Sequence, residues 1–135
     1  MILALHGFFF WVVLALGAAT LIAGLALIVM TRRAKGETAA PLGGFAQAQR
    51  IFRLLLWITA AAGLVQDALG GILYLFEGKR PTEGLHLVYG LIVLAAIPVA
   101  FVYSDQKDVR RDIIIMTIAA AAVVGAAFRA FATGA

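Results

Sequence analysis

The sequence predicts an all-α integral membrane protein: one domain, a four-transmembrane-helix up-down-up-down bundle with both termini outside. Three observations carry that prediction. Hydrophobic residues make up 64% of the 135, charged residues only 13%, and mean hydropathy is +1.02; soluble domains run to roughly 25% charge. Four apolar segments recur, at residues 8–30, 54–76, 85–103 and 113–128, and each is close to the roughly 20 residues a spanning helix needs. The basic residues gather at segment ends, as membrane topology requires.

The first segment is uncharged, and its leader MILALHGFFF has no basic region. It reads as a retained span and not as a cleaved signal. Arg32, Arg33, Lys35, Arg50 and Arg53 follow it, and Lys107, Arg110 and Arg111 precede the fourth segment. Lys79, Arg80 and Arg129 are the basic residues of the other side. That imbalance places the 31–50 region inside and the loop around Lys79 outside, in a multi-pass protein of a bacterial-type cytoplasmic membrane. It also explains the net charge of +4 without nucleic acid as a partner.

Helices are expected over about 3–31, 47–76, 83–104 and 109–132. Residues 31–49, TRRAKGETAAPLGGFAQAQ, form the one substantial linker, and the second helix begins with an interfacial amphipathic turn at 47–52. The loop EGKRPTEG is short, so helices 2 and 3 are antiparallel neighbours. In SDQKDVRRD, Ser104 or an Asp is available as N-cap to helix 4. Pro98 interrupts the hydrogen-bond ladder of helix 3, and a bend is expected there. Cysteine is absent, which excludes disulfides, thiolate metal sites and covalent c-type haem.

Polar residues inside spans are costly in lipid and call for a partner or a function. Asp67 sits with Gly63 and Gly71 at four-residue spacing, and Arg129 sits with Ala121 and Gly125 in the same way. Small residues at that spacing admit close helix packing, so both charges are expected to face protein. At 1.5 Å per residue, Asp67 lies about 20 Å from the inner end of its helix and Arg129 about 24 Å along helix 4. A structural ion pair between Asp67 and Arg129 is the expectation. The alternative is Asp67 as the proton carrier of a small transporter, which a neighbouring Arg129 would disfavour.

His6 opens helix 1 and His86 opens helix 3. In an up-down-up-down bundle those helices are parallel and diagonal, so both imidazoles lie at similar depth near the outer end. Two neutral imidazoles facing across a bundle are the requirement for axial ligation of haem iron. Gly90 leaves room one turn beyond His86, Phe9, Phe10 and Tyr89 are available to pack on a macrocycle, and Lys79, Arg80 or Arg129 to receive its propionates. The bland alternative is two histidines at the wet interface, satisfied by water and by backbone.

The helix LHGFFFWVVLALG, the helix ending VQDALGG and the helix opening LHLVYGLIVLAA together resemble one four-helix half of the haem A synthase family, in circularly shifted order over residues 1–103. The resemblance implies a b-type haem, or a substrate haem, held between histidines near the outer ends of two helices. By position His6 and His86 match those ligands, and Gln66 falls in the family's Q-x-x-L-G-G-like patch. Two features depart from the pattern: LALHGFF lacks the acidic residue that usually precedes the histidine, and this chain has four spans where the family has eight. The resemblance implies haem binding more than haem A synthesis. Two functions are therefore expected. One is a haem b protein passing electrons between a quinol or redox partner and a larger complex. The other is a cofactor-free accessory subunit of a respiratory, photosynthetic or transport complex. Whether the chain is an enzyme is left open by the sequence, with a non-enzymatic role favoured.

Overall fold

A computed structural model describes residues 1–34, 42–105 and 107–134. The described chain is helical: α1 (Ile2–Ala34), α2 (Leu42–Leu75), α3 (Leu85–Tyr103) and α4 (Val109–Gly134). All four are long and apolar enough to cross a membrane. The middle of the expected linker lies outside the described residues. Its C-terminal part is helix: α2 starts at Leu42, ahead of the expected 47. Phe45 and Ala48 pack on the core there, and Phe52 is fully buried, so tertiary contact replaces an interfacial turn.

Each helix packs on its sequence neighbours, and α1 closes the ring against α4. The α2–α3 seam is the loosest of the four. α1 and α3 are thus diagonal, as expected, and α2 and α4 form the other diagonal. The N-terminus, the α2–α3 loop and the end of α4 share one end of the bundle. Pro98 leaves α3 unbroken over its nineteen assigned residues.

Small residues set the interhelical distances. At Gly17 an added methyl would lie 3.1 Å from Val124, and at Gly63 it would lie 3.2 Å from Val93. Between them Thr20 and Thr59 exchange a buried hydrogen bond of 2.9 Å across α1 and α2, while the Thr20 hydroxyl also reaches the Leu16 carbonyl at 2.7 Å. Around this seam Leu27, Leu56, Ile97, Met116 and Val123 make the apolar core.

The end of the bundle opposite the histidines is held by charge. Arg53 Nη1 donates to Asp112 Oδ2 at 2.8 Å, with side chains 27% and 3% exposed respectively. Ser104 Oγ donates to the other Asp112 oxygen, and the Arg53 guanidinium lies 5.5 Å from the Phe101 ring centre. α2, α3 and α4 are thereby joined through one carboxylate. Ser104 is occupied in this cluster, so the N-cap of α4 is Asp108, whose Oδ1 accepts from Arg111 N at 3.1 Å. At the other end Gly78, at φ +64°, reverses the chain, and Lys79 N returns to the Leu73 carbonyl at 3.0 Å.

Asp112→Ala is expected to destabilise the bundle by about 1.5–3 kcal/mol, the range for a hydrogen bond to a charged group. Unfolding in mixed micelles measures it. A loss no larger than that of Asp105→Ala, on the exposed loop, would show that the cluster does not hold the helices together.

Candidate functional site

His6 and His86 enter one space from opposite corners of the bundle. Their ring centres are 6.3 Å apart with planes inclined by 59°, and both side chains are half-buried. A cavity of about 690 Å³ adjoins them, within the range of roughly 300–1,000 Å³ typical of small-molecule sites. All four helices and the α2–α3 loop contribute to its wall.

Each imidazole is gripped by a backbone carbonyl of a neighbouring helix. His6 Nδ1 lies 3.2 Å from the Gln66 carbonyl oxygen on α2. His86 Nδ1 lies 2.7 Å from the Ala130 carbonyl oxygen on α4. A carbonyl only accepts, so in both rings Nδ1 carries a proton and donates. In the neutral imidazole the lone pair then sits on Nε2. Histidines that bind metals are oriented in this manner, the second nitrogen donating to a carbonyl or carboxylate.

Glycine makes the grip possible. The residue four positions after Gln66 is Gly70, and four after Ala130 comes Gly134. A methyl group at Gly70 would lie 3.2 Å from His6 Cε1, and at Gly134 it would lie 2.7 Å from both Cε1 and Nδ1 of His86. A helical carbonyl points toward the residue four positions on, so a bare position there opens its second lone pair to an outside donor. Sequence reasoning missed Ala130 and Gly134. The signal was a glycine four residues beyond a carbonyl at the depth of a histidine, and it stood in both helices.

The other expected residues divide. Lys79 and Arg80 border the cavity, although Lys79 also pairs with Glu77 at 3.1 Å and Arg80 lies 5.9 Å from the Tyr74 ring centre. Phe10 borders it too, buried and stacked on Phe131 at 4.7 Å. Gly90 faces Asp67: an added methyl would lie 3.1 Å from Asp67 Oδ1. Phe9 and Tyr89 do not border the cavity.

The expected Asp67–Arg129 ion pair does not form. Arg129 is exposed, 5.8 Å from the Tyr89 ring centre, and it stands outside the cavity, which also removes it as a contact for a bound carboxylate. Ala121 and Gly125 are exposed with it, so the small-residue stripe of α4 faces outward. The buried face is Ala119, Ala120, Val123, Ala126 and Ala127. Alanine lies on every side of this helix, and four-residue spacing of small side chains therefore fits more than one rotation. Asp67 borders the cavity, and its Oδ2, like Gln66 Oε1, is buried without a hydrogen-bond partner among the described residues.

Among the described residues no group of three or more His, Asp or Glu side chains stands close enough to hold a bare metal ion. The site offers two nitrogen ligands and an apolar chamber, which suits a metal that brings its remaining ligands with it. Bonds of about 2.0–2.1 Å to imidazole nitrogen, with each ring centre about 1 Å further, would put two imidazoles on opposite sides of one metal about 6 Å apart. The observed spacing of 6.3 Å agrees. No family profile, no curated protein and no solved structure matches the chain.

Gly134→Ala is expected to displace His86 and abolish its bond to Ala130, seen in the ¹⁵N and ¹H shifts of the imidazole. Gly125→Ala, where nothing lies within 4 Å, should leave both histidines unmoved and raise stability by up to about 1 kcal/mol through helix propensity. Unchanged His86 resonances in Gly134→Ala would contradict the seating described.

Proposed function

We propose that this chain is a b-type haem protein of the bacterial cytoplasmic membrane, with His6 and His86 as axial ligands, serving electron transfer to or from a larger membrane redox complex. The observation that carries the reading is the pair of imidazoles at one-metal spacing, each with Nδ1 on a backbone carbonyl and Nε2 left as the acceptor, beside a cavity large enough for a cofactor. A haem there supplies reversible one-electron chemistry at iron. The carbonyls of Gln66 and Ala130 hold the rings in orientation, Gly70 and Gly134 seat them, and Lys79 and Arg80 at the border supply positive charge for carboxylates. Were both imidazoles bound to the iron, they would leave it closed to oxygen, which would favour electron transfer over oxygen activation. A quinol or a neighbouring redox subunit is the electron partner on this reading.

The cofactor-free accessory subunit is the second reading, favoured by one observation. Ala121 and Gly125 form an exposed small-residue face on α4, the kind of face that packs closely on another transmembrane helix.

Oxidised and reduced visible spectra of the purified protein separate the two. The haem reading expects a reduced α-band of b type, reduced in the His6→Ala and His86→Ala variants and absent when both are replaced. A colourless protein that takes up no haem on reconstitution would leave the accessory reading. On orientation, the end carrying the histidines faces outside. The chain has no cysteine, so single cysteines at Lys79 and Arg110 report directly. The first should label in intact cells and the second only after permeabilisation; labelling of both from outside would refute the arrangement.

A further inference from the structure

The two imidazoles differ in one respect. Gln66 holds both nitrogens of His6: its carbonyl accepts from Nδ1 at 3.2 Å, and its side-chain amide nitrogen lies 3.4 Å from Nε2. Because Nδ1 carries the proton, Nε2 is the acceptor in this second contact and the amide N–H is the donor. His86 is held at Nδ1 alone, and its Nε2 has no hydrogen-bond partner among the described residues. One ligand nitrogen is capped and the other is open.

We propose that Gln66 is a gating residue for the site: its side-chain amide occupies the iron-binding nitrogen of His6 until a haem arrives, so that His86 engages first and His6 second. The inference rests on the haem reading above and adds an order and a gatekeeper to it. The same residue performs two separable tasks. Its carbonyl, part of the helix, keeps the ring pointed in every state. Its amide, on a flexible side chain, closes Nε2 and must leave before the nitrogen can ligate.

The cap also accounts for the unpartnered Gln66 Oε1. An amide turned to present N–H to His6 points its oxygen elsewhere, and no donor among the described residues meets it there. That orientation is held by a single long hydrogen bond at 3.4 Å, beyond the usual 2.7–3.2 Å. Such a bond satisfies a lone pair in a membrane interior while remaining easy to displace.

Gln66→Leu removes the amide donor and keeps the carbonyl, so it tests gating apart from orientation. In the haem-free protein, ¹⁵N shifts should show Nδ1–H tautomers at both histidines, with the Leu substitution moving His6 Nε2 and leaving His86 in place. Hemin added to the protein in nanodiscs should bind in two phases, a high-spin spectrum followed by a low-spin one. Gln66→Leu should speed the second phase and tighten binding by roughly 2- to 10-fold, the range carried by one neutral hydrogen bond. His6→Ala should keep the first phase alone, and His86→Ala should lose it. Unchanged rates in Gln66→Leu, or a fast phase that survives His86→Ala, would overturn the gating while leaving haem binding intact. A wild-type protein with no histidine-dependent Soret band would overturn both.

Discussion

The histidine end of this bundle depends on two backbone carbonyls, those of Gln66 and Ala130. In hydrocarbon a polar group without an internal partner costs several kcal/mol, and an imidazole brings two such groups. A helix has already committed each carbonyl to the amide four residues on. Only the second lone pair of the oxygen is available, and a side chain at that fourth residue would crowd the approach. Glycine at 70 and at 134 leaves it clear. One steric condition, met once on α2 and once on α4, fixes the rotation of both imidazoles and the tautomer of each. The chemistry available at Nε2 follows from that.

The two ends of the molecule accordingly differ in character. Away from the histidines, the Arg53–Asp112 bridge, the Ser104 hydroxyl and the Thr20–Thr59 bond satisfy nearly every buried polar group, and Phe52 and Met116 fill the space between helices. At the histidine end a chamber opens, and among the described residues two acceptor oxygens stand without donors. The well-packed end carries the stability that allows the other to remain open. A broken α2–α4 tie would therefore be felt at the site as well, because α2 and α4 supply the two carbonyls.

Apolar length and the placement of charge made the four helices, their neighbours and their diagonals legible in the sequence. The histidine pair was legible for the same reason: alternating direction and short loops leave two early histidines on parallel helices little choice of depth. Rotation about the helix axis was not. α4 carries alanine on all faces, so the spacing of Ala121, Gly125 and Arg129 pointed inward on paper and outward in the fold. Arg129 was expected to face protein, yet near a helix end it reaches the surface over Tyr89. A backbone partner was foreseen, but not which carbonyls serve, because any residue type can supply one and only the glycine beyond leaves a mark in sequence.

The failure of Arg129 to reach Asp67 changes the argument about what Asp67 does. With an arginine beside it the carboxylate would be a fixed structural charge. Alone, it is a polar group directed at the cavity the histidines share, packed against Gly90 of α3. A proton carrier in a transporter needs access to both sides in turn, and Asp67 borders a chamber at one end of the bundle, with the packed core of Val93, Ile97 and Met116 between it and the other. Its position argues against passing ions across, and on the proposed haem reading it would adjust the field around the cofactor. Tuning by a nearby buried dipole or charge is one of the few levers a protein holds over a metal whose ligands are fixed. On the haem reading the two imidazoles would be the ligands, and the unpaired acceptors of Gln66 and Asp67 are the polar groups that would act on the cofactor.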